Sequence, residues 1–263
     1  RRFYGKYRGF VVDNKDHERL GRLKLTVPSV LCSEVVTGWA WPFMPYGVNA
    51  DQGFLCIPGQ GAGVWVEFEE GDLEFPIWTG TFWSKPGGES ELPRPNDAEG
   101  AEQGDVQDPP TRKIIKTATG HTIQFEDADQ EVRVILSDGQ KENRIVFGPS
   151  GLTVTNKDNK IMMDGAGIVI EDKAGNRATQ DGSGFVIEDK HGNQIVMGVG
   201  GIQVGSNSAK EQFVLGTTFM TEVSSFLISL GTHTHVGNLG APTSPPTAPL
   251  ILNVPLSSKH KVE

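Results

Sequence analysis

Along the second half of the chain, apolar and polar residues alternate in short runs, each opened by a glycine or an asparagine. The segments GLTVTNKDNK, GIVIEDKAGN, GFVIEDKHGN and GIQVGSNSAK begin at Gly151, Gly167, Gly184 and Gly201, spaced 16, 17 and 17 residues apart. Asn143, Asn159, Asn176 and Asn193 keep the same spacing. Two markers in phase define an internal repeat. After each glycine the first and third positions are Leu152/Val154, Ile168/Ile170, Phe185/Ile187 and Ile202/Val204. After each asparagine the second and fourth are Ile145/Phe147, Ile161/Met163, Ala178/Gln180 and Ile195/Met197. Period-two alternation predicts strands with one buried face, and the GN, DN and EN pairs predict turns between them. Gln180 is the polar exception. The stretch His121-Thr-Ile-Gln-Phe reads as an earlier, looser copy.

The first 84 residues follow a different rhythm. GFVVD, GRLKLTV, GVWVEFEE and FPIWTGTFW are short β-branched and aromatic runs between turns. All five tryptophans (Trp39, Trp41, Trp65, Trp78 and Trp83) lie here and predict a compact core. A small closed or partly open barrel is expected, because closure removes exposed strand edges. Residues 85–112 are rich in proline, glycine and acidic side chains and read as a linker without a core of its own. Beyond the repeats, Phe219, Val223, Phe226 and Leu230 recur at helical spacing. Thr217 or Thr218 is the expected N-cap and Gly231 the stop. The helix's polar face lacks lysine and arginine, which favours packing against a protein axis over lying on a membrane. APTSPPTAP then reads as extended, and LNVPLSSKHKVE as a closing strand.

Two strands per repeat make an open sheet whose apolar face is left wet, at about 25 cal/mol per Å². A single-chain solenoid coil usually has three faces and more residues per turn. Several chains sharing one axis close that face, and three is the most economical number; a single-chain β-helix is the alternative. Symmetry also bears on GTHTH. His233 and His235 are two ligands at most in one chain, but three chains bring six imidazoles to one point. Six nitrogens favour octahedral iron or nickel over tetrahedral zinc. The competing reading is a polar loop whose histidines face solvent.

Composition narrows the function. The 263 residues carry a net charge of −9, against the basic footprint of a nucleic-acid binder. Residues 1–25 are locally basic and suit either an acidic partner or a solvated face. Cys32 and Cys56, the only cysteines, are expected as buried free thiols, in keeping with a reducing cytosol. No apolar run approaches the roughly 20 residues of a membrane span. There is no secretory-signal pattern, and the chain opens on Arg1, which leaves open whether a segment precedes it. The lone Gly182-Ser183-Gly184 lacks a nucleophile elbow's spacing and setting. GQGAG precedes a strand, so phosphate binding is not expected.

YRGFVVDNKDHERLGRLKLTVPS, WAWPFMPYG, GFLCIPGQGAGVWVEFEEGD and FPIWTGTFW, followed by acidic Gly-rich repeats and GTHTH, resemble the central spike of contractile phage tail baseplates. The related VgrG spikes of type VI secretion share the pattern. The resemblance implies an all-β fold: an oligonucleotide/oligosaccharide-binding (OB) barrel over 1–84, the linker 85–112, and an intertwined trimeric β-helix shaft over 113–212. A short helix, the HxH motif and a Pro-rich tip would occupy 213–263. It implies an iron ion held by His233 and His235 of three chains. In relatives with such a tip the motif lies very close to the chain end, whereas 28 residues follow His235. Some relatives carry a lysozyme domain where this chain has only its linker.

The implied role is structural. A homotrimer would join baseplate hub and tail-tube proteins through its barrels, in a virion tail assembled in the host cytoplasm. Sheath contraction would drive it through the target bacterial outer membrane. No catalytic residue and no nucleic-acid partner are expected. The alternative is a β-helical tailspike enzyme degrading surface polysaccharide. Glu171, Asp172, Glu188 and Asp189 would be its carboxylates, but their recurrence with the repeat reads better as solvated corners.

Overall fold

The computed structural model describes residues 1–47, 49–104, 110–206, 211–214, 216–232 and 256–262. The chain is all-β with few helices, and contacts divide it between Leu92 and Pro93 into two units.

In the first unit, β1 (Tyr7–Asp13), β2 (Lys24–Thr26), β3 (Trp41–Pro42), β4 (Gly63–Phe68) and β5 (Pro76–Thr81) form one sheet in the order β2-β1-β4-β5-β3. A single turn, α1 (Pro28–Leu31), follows β2. Alternation in β4 sends Val64, Val66 and Phe68 into the core, where they meet Val11, Leu23, Leu25, Val27, Ala40 and Trp78. Register breaks between Val11 and Asp13 and between Trp65 and Val66 bend the sheet into a half-barrel. Only one of the five tryptophans belongs to this core. Trp78 is 3 % exposed and its indole Nε1 donates to the Gly21 carbonyl at 3.2 Å. Trp65 stands between Val64 and Val66, so the same alternation turns it outward. Trp41 and Trp83 are exposed. Branched aliphatics therefore carry the packing that the sequence suggested for tryptophan. Cys32 and Cys56 are free, as expected, but exposed rather than buried. Cys32 ends α1 and Cys56 lies between β3 and β4, in connections with no core to enter.

The second unit is a thirteen-stranded sheet. Its strands are β6 (Arg112–Lys116), β7 (Thr122–Glu126), β8 (Arg133–Ser137), β9 (Asn143–Gly148), β10 (Gly151–Asn156), β11 (Asn159–Met163), β12 (Gly167–Glu171), β13 (Arg177–Asp181), β14 (Gly184–Glu188), β15 (Gln194–Gly198), β16 (Gly201–Gly205), β17 (Glu211–Val214) and β18 (Leu256–Val262). From β6 to β16 each strand pairs antiparallel with the next, a plain meander. The expected closing strand is β18, which runs parallel to β16 and antiparallel to β17.

The stretch expected as a linker is divided by the unit boundary. Its residues 93–104 lie against the start of the sheet rather than free of it. The Asn96 N–H donates to Gln124 Oε1 at 2.8 Å, and Gln124 Nε2 donates back to the Asn96 carbonyl at 2.7 Å. Lys116 Nζ donates to the Glu102 carboxylate at 2.7 Å and to the Arg94 carbonyl at 3.0 Å. Composition misses this attachment because polar pairing, not apolar burial, makes it. The helix α2 (Gly216–Thr232) covers the expected segment but begins earlier, so Thr217 and Thr218 lie inside its first turn. Among the described residues no helix is long and apolar enough to cross a membrane.

Candidate functional site

The register of the meander turns the repeat into a surface. Ile145, Val154, Ile161, Ile170, Ala178, Ile187, Ile195 and Val204 stand opposite one another in one unbroken column. Phe147, Leu152, Met163, Ile168, Gln180, Phe185, Met197 and Ile202 form a second column on the same face. Upstream strands extend both, through Leu136, Ile123 and Ile115 and through Val134 and Phe125. At about 4.8 Å between strands, eleven strands make an apolar band about 50 Å long. Much of it lies open: Ile170 is 49 % exposed and Phe147 51 %. An apolar surface of this extent on one chain marks an interaction site.

The two repeat markers build that surface. Gly151, Gly167 and Gly184 open their strands against the backbone of the next strand. A Cβ on each would stand 2.1, 2.0 and 2.1 Å from the carbonyl oxygens of Met163, Gln180 and Met197. Gly151 and Gly184 also hold φ at +121° and +143°, which a side chain disfavours. The asparagines lock the turns. Asn176 Nδ2 donates to Asp172 Oδ2 at 2.7 Å within its own turn, while its Oδ1 accepts the Lys190 N–H of the next turn at 3.1 Å. Asn193 repeats the first contact with Asp189 at 2.7 Å, and Asn159 Oδ1 repeats the second with the Lys173 N–H at 3.2 Å. One amide side chain thus ties each turn to its neighbour, which explains why asparagine keeps the beat.

These bonds lower three carboxyl groups below the usual carboxylate range. The Asn143, Asn176 and Asn193 side chains are the first cause for Asp138, Asp172 and Asp189 respectively, with backbone N–H groups adding to it. A depressed folded pKa contributes stability above the unfolded value of 3.8 and loses it as pH falls through the folded one. Thermal melts should therefore hold steady above about pH 5 and fall steeply below about pH 4. The double variant Asn176→Ala/Asn193→Ala should show a shallower acid slope. Equal slopes in the two proteins would refute the turn ladder.

The first unit carries a surface of another kind. Arg22 pairs with the Asp16 carboxylate through Nε at 3.1 Å and Nη2 at 2.7 Å, and holds that carboxyl well below its ordinary range. The same guanidinium lies over the rings of Trp39 and Trp41, and Lys24 over Trp39. Arg8 lies over Trp65 and Phe82. Trp41, Phe43, Tyr46, Phe54 and Leu55 are exposed together along the chain from β3 onward, Leu55 at 80 %.

Residues 7–83 match the family model of the type VI secretion system/phage-baseplate injector OB domain. The half-barrel sheet, from Tyr7 to Thr81, lies within that match. In this domain the chain is similar to baseplate spike proteins, and the family is a structural one. No curated protein matches the chain.

In the first unit, much of the N-terminal basic patch is spent internally. Arg2 pairs with Asp72 at 2.8 Å, Lys6 with Glu67, and Arg22 with Asp16 and Glu18. Sequence reasoning saw the cations but not the aromatic faces beneath them, because partners as far apart in the chain as Arg8 and Phe82 leave no local signal. Two of the four candidate carboxylates, Asp172 and Asp189, are also engaged. Asp172 and Asp189 belong to the turn ladder, and Glu171 and Glu188 stand on either side of Arg177 in the register. Among the described residues no group of His, Cys, Asp and Glu is placed to hold a metal ion. His233 and His235 lie outside the described residues; α2 ends at Thr232, immediately before them.

Proposed function

We propose that the protein is the membrane-piercing central spike of a contractile-tail or injection-system baseplate, a structural protein and not an enzyme. The observation that carries this reading is an apolar sheet face about 50 Å long, uncovered within one chain, in a chain whose N-terminal unit matches an injector OB domain. Three copies winding their sheets about one axis bury that face and make the trimeric β-helix shaft. A partner with the same strand spacing is the one that meets such a band layer for layer, and a second copy has that spacing by construction. The OB domains attach to hub and tail-tube proteins. The exposed run from Trp41 to Leu55 offers them apolar anchors of the type that dominates protein interfaces. The spike belongs to the tail baseplate of the virion, is assembled in the host cytoplasm, and is driven through the target's outer membrane when the sheath contracts.

An iron ion shared by three chains belongs to the same proposal. His233 and His235 would be its ligands, six imidazole nitrogens in all, a donor set suited to octahedral iron. When bound, the metal ties three chains together and stabilises the assembled state by mass action. The glycan-degrading alternative requires a carboxylate pair about 5–9.5 Å apart in a groove. The turn aspartates, with oxygens already bonded to asparagine and backbone N–H groups, support solvated corners instead.

Native mass spectrometry of the dilute protein, with metal analysis, tests the reading. Three chains per particle and one iron per three chains are expected. A well-folded single chain would overturn the spike, and three chains without metal would overturn the iron site alone.

A further inference from the structure

β13 departs from the repeat at both positions on the apolar face. Every other strand from β9 to β16 contributes two large apolar residues, whereas β13 contributes Ala178 and Gln180. Gln180 stands opposite Ile168 on β12 and Phe185 on β14, and Ala178 opposite Ile170 and Ile187. Hydrocarbon surrounds the carboxamide, and no hydrogen bond joins it to any described residue. Within one chain it is exposed and water satisfies it. Once the face is covered, a lone amide loses those bonds and leaves a donor and an acceptor unmet. Three amides at one level solve the problem, because a carboxamide carries both N–H donors and a C=O acceptor.

We propose, building on the three-chain reading above, that the Gln180 carboxamides of three copies bond head to tail in a closed polar layer inside the shaft. This layer fixes the axial register of the three sheets. The repeat cannot do so by itself. Sliding one copy by a hairpin keeps apolar columns against apolar columns, since each repeat resembles the next. The same slip sets every Gln180 against isoleucine or phenylalanine with its hydrogen bonds broken. A single polar layer selects register in coiled coils by the same logic, at some cost in stability. Ala178, in the other column, lines a separate groove of about 440 Å³ bordered by Val154, Ile161, Ile170 and Ile187, which Gln180 does not reach. The residues level with Gln180 on the flanking strands, Ile168 and Phe185, carry no charge. Asp181 follows in the chain but alternates to the other face, where its carboxylate accepts bonds from Ser183. The titratable residues in line with the two columns stand at their ends: Lys113 on β6, opposite Phe125, and His260 on β18, opposite Ile202.

The test is Gln180→Glu, compared with the wild-type chain by native mass at pH 8 and pH 4.5. Wild type should hold three chains at both. Q180E should fall to single chains at pH 8, where three carboxylates would share the buried layer, and recover three chains at pH 4.5, where they are protonated. Three chains for both proteins at pH 8 would overturn the polar layer and leave the three-chain reading standing. A single-chain wild type would overturn both. A measurement on the unaltered protein guards against a variant that does not fold. In wild type labelled on its glutamine side chains, Gln180 should exchange its amide hydrogens about tenfold or more slowly than exposed glutamines. It would then resemble the buried Gln124, and its signal is assigned by its loss in Gln180→Leu. Fast exchange at Gln180 in a three-chain particle would equally overturn the layer.

Discussion

Gly184→Ala is expected to destabilise the thirteen-stranded sheet by about 2–5 kcal/mol per chain. Two penalties add. The residue holds φ at +143°, and forcing a side chain into left-handed backbone space costs about 1–2 kcal/mol. The new Cβ would also start 2.1 Å from the Met197 carbonyl oxygen and 3.0 Å from the Gly198 Cα. Both are backbone atoms, so no side chain can rotate away, and overpacking of this kind costs about 1–3 kcal/mol. The strands β14 and β15 must separate locally, and in the proposed three-chain shaft every copy would carry the same fault. Gly182→Ala provides the comparison. It lies two residues away in the turn, where an added Cβ meets nothing within 4 Å. A melting temperature lowered by Gly184→Ala no more than by Gly182→Ala would contradict the account of the glycine marker.

Ile170→Asp is the second large effect, and it separates one chain from three. On an isolated chain this side chain is 49 % exposed, and a substitution at such a surface changes stability by about 0.5 kcal/mol or less. Covered by other copies, it would place carboxylates in hydrocarbon at a penalty of several kcal/mol per ion, roughly. Assembly should therefore be lost, seen as a fall in native mass and in the melting temperature of the strand signal. Lys173→Ala is the control on a turn. Its side chain is 78 % exposed and pairs only with a surface Asp158 at 2.6 Å, so assembly should be unchanged. Equal behaviour of the two variants would mean that the apolar face stays uncovered.

Both predictions rest on positions that the sequence had already marked. The alternation at Leu152/Val154 through Ile202/Val204 reached the structure intact, because a strand's two-residue period is a property of the backbone and writes itself directly into hydropathy. The glycine and asparagine beats were visible too, but their causes were not. A carbonyl on the neighbouring strand, and a turn amide one repeat away, are distances through space that spacing alone does not report. The tryptophans show the opposite failure. Residue type suggested a core, yet alternation in β4 turned Trp65 outward and left Val64 and Val66 inside. Residues 93–104 failed in the same direction. Their composition is that of a free linker, and polar bonds attach them to the sheet: the reciprocal pair of Asn96 with Gln124, and Lys116 with Glu102 and the Arg94 carbonyl.

By itself, then, the chain's order of residues determined the all-β class, the repeat, the apolar columns and the family resemblance of the N-terminal barrel. Each of these follows from local periodicity or from a contiguous motif. The tertiary structure alone decided which aromatic rings lie under cations, which turns share an asparagine, and that the two columns run unbroken along one uncovered face. Those features depend on register, and register is settled by contacts between residues far apart in the chain, where hydropathy along the sequence carries no memory of the partner.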